Sequence, residues 1–113
     1  MLKGFYVLDD DNKPVEASDI KKWAQFFESE KRVIAQDQVR DARISTVFLG
    51  LDHNFMNEGP PILFETMIFG GRLDGEQYRY STYDEAINGH KTAIGMVLLH
   101  GFDMPENPVS NID

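Results

Sequence analysis

"STVFLGLDHNFMNEGPPILFETMIFGG", residues 45–71, decides how the rest of the chain is read. It holds two apolar runs, and each alternates with period two, as a half-buried strand does. In the first, Ile44, Thr46, Phe48 and Gly50 share one face; Arg43, Ser45, Val47, Leu49 and Leu51 share the other. In the second, Ile62, Phe64, Thr66 and Ile68 share a face opposite Leu63, Glu65, Met67 and Phe69. The spacing predicts strands over 42–51 and 62–69. Between them lies a loop carrying Asp52-His53-Asn54 and ending in Gly59-Pro60-Pro61. Two prolines stiffen its exit and favour extended backbone before them.

Outward from this pair, residues 32–39 read as a preceding strand and 76–81 as a following one, with Tyr78 and Tyr80 on one face and Gln77 and Arg79 on the other. Residues 4–9 form an N-terminal strand, and Val15–Ala17 a brief return after the turn 10–14. Ile20, Trp23, Ala24 and Phe27 recur at helical spacing, which predicts a helix over 19–29 with Ser18 as its N-cap. Thr82 and Glu85 fit a capping box ahead of a second helix over 83–99, striped by Tyr83, Ala86, Ile87, His90, Ile94 and Val97. Gly89 and Gly95 weaken that helix or let something approach it closely. Consecutive strands with short turns favour an antiparallel meander. The expected fold is α+β: a meander of about four to five strands with two helices on one face. Residues 1–102 form a single domain, and 103–113 a loosely ordered tail.

The 113 residues include no cysteine, so disulfides, thiol catalysis and Cys-type zinc sites are excluded. A net charge of −8, from 11 basic and 19 acidic residues, opposes direct nucleic-acid binding. It permits mimicry of a nucleic-acid backbone. No signal peptide or membrane span is read, which fits a cytoplasmic location.

Each chemical constellation has a plain counterpart. Asp52-His53 could orient an imidazole as a base, yet Asp and Asn also build turns from their own backbone. His53, His90 and His100 lack metal-ligand spacing, and His90 reads as a core histidine donating to a backbone carbonyl. Neither a catalytic nor a metal-binding residue is assigned, and no cofactor is implied. Glu65 is expected to pair with Arg43 or Arg79, or to lie at a subunit interface. The ligand hypothesis rests on Arg43 and Arg79 for phosphate, Tyr78, Tyr80 and Phe55 for stacking, and His53 and Asn54 for polar edges. Its counterpart is a cross-strand Arg–Glu65 pair with packed tyrosines.

The segments "RISTVFLGLDHNF" (43–55), "GPPILFETMIFGG" (59–71) and "LDGEQYRYSTYDEAINGH" (73–90) resemble a widespread family of small bacteriophage and prophage proteins. The resemblance spans about residues 18–93. It implies a host-takeover or anti-defence factor in the host cytoplasm rather than a metabolic enzyme. In outline the chain is similar to the Thoeris anti-defence sponge, which implies a homo-oligomer that sequesters a small cyclic nucleotide such as a cyclic ADP-ribose isomer. An acidic inhibitor of a host protein and a small hydrolase or nuclease using Asp52, His53 and Glu65 are the competing readings.

Overall fold

A computed structural model describes residues 2–56 and 58–100. The tail expected over 103–113 lies outside the described residues. The order is β1 (Leu2–Leu8), β2 (Pro14–Ala17), α1 (Ile20–Phe27), a 3-10 turn (Glu30–Arg32), β3 (Val33–Val39), β4 (Ala42–Phe48), β5 (Phe64–Phe69), β6 (Gln77–Tyr80) and α2 (Tyr83–His100). Strands β3 to β6 form a four-stranded antiparallel meander in sequence order, and β1 and β2 form a separate hairpin. The fold is α+β, as the alternation and capping signals predict.

The register fixes the two faces of the meander. Thr46 lies opposite Thr66, Ile44 opposite Ile68 and Phe48 opposite Phe64. These residues are buried, and α2 packs across them. Arg43, Glu65 and Arg79 belong to the opposite face, which no described helix covers. Ala86, Ala93 and Val97 of α2 are buried against the sheet. Glu85 Oε1 accepts from the Ser81 and Thr82 amides, and Thr82 Oγ1 accepts from the Glu85 amide, which closes the expected capping box.

Two details differ from expectation. Asp19, not Ser18, caps α1 by accepting from the Lys22 amide at 2.9 Å. Both residue types cap well, and sequence alone does not rank adjacent candidates. The strands flanking the long loop are also shorter, ending at Phe48 and resuming at Phe64. Pairing is not lost there. Leu49 donates to the Leu63 carbonyl at 2.7 Å, while Gly50 turns away with φ +78°.

That turn docks the hairpin and α1. The Gly50 carbonyl accepts from the Tyr6 amide at 2.8 Å and from Trp23 Nε1 at 2.9 Å. Phe5 packs edge-on against Trp23, which stacks on Phe27, whose ring lies under the Arg32 guanidinium. Phe26 meets Phe48 edge-on and so brings α1 to the inner face of the meander.

The core is two apolar clusters. One holds Ala42, Ile44, Ile68, Ala93 and Val97. The other holds Phe48, Leu63, Phe64 and Ala86. A row of polar side chains separates them.

Candidate functional site

Asp52-His53-Asn54 builds a loop frame. Asp52 Oδ1 accepts from the amides of Asn54 at 2.8 Å and Ile62 at 3.0 Å, which ties the entrance of the loop to its exit. Asn54 Nδ2 donates to the carbonyls of Glu58 at 2.6 Å and Pro60 at 2.8 Å, and its Oδ1 accepts from Met56 N. His53 bonds the Leu51 carbonyl through Nδ1 at 2.8 Å. A protein–protein hydrogen bond to a carbonyl requires a proton on that nitrogen. These bonds of Asp52 and of His53 Nδ1 go to backbone groups of the loop, not to each other. The loop presents Phe55 and Met56, 79% and 78% exposed, at its tip.

A cleft of about 580 Å³ opens between this loop, the end of β6 and the first turns of α2. Asn54, Pro60 and Ile62 line one side; Arg79, Tyr80 and Ser81 line the strand side, with Glu85 and Asn88 from the helix. Of the expected ligand residues, the cleft gathers Asn54, Arg79 and Tyr80. Arg79 Nε donates to Glu65 Oε2 at 3.0 Å, so the expected cross-strand pair forms. That bond uses one of the five guanidinium donors. The pair is partly solvated, Arg79 being 43% exposed, and adds little stability.

The other expected residues lie elsewhere. Arg43 sits over the Phe69 ring at 4.4 Å. It stands two strands and four residues from Arg79, roughly 16 Å by ordinary sheet spacing, so the two arginines do not converge. Tyr78 packs against the first apolar cluster, and its hydroxyl donates to Glu76 at 2.9 Å. Burial, and then the bond and negative charge of Glu76, raise the Tyr78 pKa above the ordinary phenol value. His53 and Phe55 sit on the loop, their rings 5.9 Å apart, outside the lining of the cleft. Ser81, Glu85 and Asn88 were not singled out as ligand contacts. Glu85 reads as a cap and Asn88 carries no signal of its own, and only the approach of the loop makes them a wall.

The second polar feature lies beneath α2. His90, 4% exposed, bonds Thr46 Oγ1 through Nδ1 at 2.7 Å and Asp37 Oδ2 through Nε2 at 2.8 Å. Its partners are side chains, not the backbone carbonyl expected from sequence, because β3 carries Asp37 on the face toward α2. Thr46 Oγ1 is 2.5 Å from Thr66 Oγ1, which is 3.1 Å from the Tyr80 hydroxyl. Carboxylate, imidazole and hydroxyl thus stand in the order of a nucleophilic triad. The hydroxyl is wrong for that chemistry: Thr46 and Thr66 are both 0% exposed, so a substrate cannot reach either. The row instead satisfies buried polar groups. From sequence Thr66 stands out only as a polar group inside an apolar strand, and neither threonine is assigned a role, since threonine in a strand reads as an ordinary β-former.

No protein-family model matches this chain, and no curated protein or solved structure matches it. The cleft must be read from its own chemistry. It combines a partly committed guanidinium, hydroxyl and amide groups from Ser81 and Asn88, one carboxylate, and an apolar side from Pro60 and Ile62.

Proposed function

We propose that the protein is a non-catalytic binder that captures a small nucleotide in the cleft beside β6. The observation that carries this reading is the gathering of Arg79, Asn54 and Tyr80 with Ser81 and Asn88 in one opening. Its volume lies within the range of small-molecule sites. The terminal nitrogens of Arg79 suit a phosphate. Asn88, Ser81 and the second oxygen of Glu85 suit ribose hydroxyls and base edges. Pro60 and Ile62 offer a surface to a ring. The enclosed hydroxyl–imidazole row favours binding over turnover, because the most reactive-looking groups face α2 and not the cleft. Sequestering a cyclic nucleotide immune signal, the role implied for a phage anti-defence factor acting as a homo-oligomer, is the form of this function we put forward.

Native mass spectrometry with a panel of cyclic and linear nucleotides tests it. The expected result is addition of one intact nucleotide mass. Arg79→Ala and Asn88→Ala should each lower binding at least tenfold, and Arg43→Ala, at the far corner of the open face, should leave it unchanged. A processed nucleotide would make the protein an enzyme. Absence of any adduct across the panel would overturn the reading and turn attention to protein partners of the acidic surface.

A further inference from the structure

The polar row draws on five elements: Asp37 from β3, Thr46 from β4, Thr66 from β5, Tyr80 from β6 and His90 from α2. Each hydroxyl has one proton to donate, so the donor directions along the row depend on one another. Asp37 is 53% exposed at its side chain, and an ionised carboxylate accepts only. With a neutral imidazole, His90 Nε2–H donates to Asp37, and Nδ1 is left as an acceptor. Thr46 must then donate to Nδ1, Thr66 to Thr46, and Tyr80 to Thr66. Every proton points toward Asp37, and all four contacts are made.

A second proton on the imidazole reverses this order. Nδ1–H must donate to Thr46, whose own proton then loses its acceptor; the nearest one along the row is Thr66 Oγ1, and when Thr46 donates there, Thr66 donates to Tyr80. The Tyr80 O–H, first in the row before, is turned out of it and must find another acceptor. The phenol stands close under Gly89 of α2. Among the described residues, β3 brings Asp37 to this face, and the other elements packed there bring few ionisable groups. β4 and β5 direct Arg43 and Glu65 to the opposite side, β6 adds only Tyr78 and Tyr80, and the helical neighbours of His90 one turn away are Ala86, Ile87, Ala93 and Ile94.

We propose that the Asp37–His90–Thr46–Thr66–Tyr80 row is a reversible hydrogen-bond relay that reports the protonation of His90 at Tyr80, a residue of the cleft wall. It acts by rotating hydroxyl protons, with no bond broken in the chain and no side chain displaced. His90 is here a positioning residue, and the relay stands whether or not the cleft holds a nucleotide.

The test is an NMR titration of the full chain between pH 8 and 5, where histidines ordinarily take up a proton. The probes are the imidazole nitrogens of His90 and the ring carbon bearing the hydroxyl in Tyr80. At pH 8 the ring should carry its proton on Nε2. Tyr80 should then shift with the same midpoint as His90. In Thr66→Val, His90 should still titrate while Tyr80 stays silent. In His90→Gln, whose amide donates to Asp37 and accepts from Thr46 at every pH, Tyr80 should also stay silent. A neutral ring protonated on Nδ1, a His90 that keeps one form throughout, or a Tyr80 that still follows pH in Thr66→Val would each overturn the proposal. The first two readings need only the wild-type chain, so they hold even if a variant does not fold.

Discussion

At the scale of single residues, α2 offers a matched pair of glycines with opposite requirements. A methyl group at Gly89 would overlap the Tyr80 phenol, whereas one at Gly95 would meet nothing. Gly95→Ala should therefore stabilise the protein by about 0.5–1 kcal/mol, the helix-propensity gain. Gly89→Ala gains the same propensity but overpacks the sheet–helix contact, and should destabilise by about 1–3 kcal/mol. Urea unfolding of both variants checks the pair. Equal shifts would mean that Tyr80 does not sit under Gly89. Tyr78 supplies a pH dependence. Burial and Glu76 hold its proton more tightly in the folded state, so folded Tyr78 has the higher pKa. Its contribution is complete below about pH 10, where phenols are neutral in both states, and is lost as pH rises through the folded pKa. Tyr6 adds in the same direction through burial, Glu16 and Asp52. Thermal unfolding followed from pH 9 to 11.5 should show the midpoint falling, and the fall should be shallower in Tyr78→Phe and Tyr6→Phe.

At the scale of elements, the long loop is a fixed frame rather than a slack connection. Asn54 ties together Met56, Glu58 and Pro60 through one amide group. Asn54→Ala should raise protease cleavage within 55–59 several-fold while leaving the global unfolding midpoint within about 1 kcal/mol of wild type, because the frame lies outside both core clusters. Unchanged cleavage would show that Asp52 alone holds the loop. Much of this scale was legible in the chain. The alternation of Ile44, Thr46 and Phe48 against Arg43, Ser45 and Val47 places the faces of β4 correctly, because a period of two has only one alternative. Thr82 and Glu85 announce α2, because a capping box is a local interaction with a local signature. The cleft was legible only in part. Asn54, Arg79 and Tyr80 reach it, but Arg43 does not, since a distance across a sheet depends on strand order and register that no single strand encodes. The His90 row escaped for the same reason: its five members are scattered from 37 to 90 and meet only when four strands and a helix are in place.

At the scale of the molecule, the β1–β2 hairpin and α1 form one unit, which meets the meander through the Gly50 turn and the Phe26–Phe48 contact. Gly50 has φ +78°, and a Cβ there would stand 3.1 Å from Trp23 Nε1. Gly50→Ala should cost about 1–2 kcal/mol from the left-handed backbone alone. Hydrogen exchange should show that cost falling mainly on amides of β1 and α1, which open before the meander. A uniform loss across β4 and β5 would mean that the hairpin and the meander unfold as one. The polar row bears on how the meander assembles at all. A strand that slips by one residue turns its apolar side to water and is rejected by burial. A slip by two escapes that penalty, because the same faces stay in and out. It would set Thr66 beside Ile44 or Phe48, and break the buried Thr46–Thr66 bond at a cost of about 1–3 kcal/mol. The threonine pair therefore proofreads a kind of misalignment that hydrophobicity cannot detect.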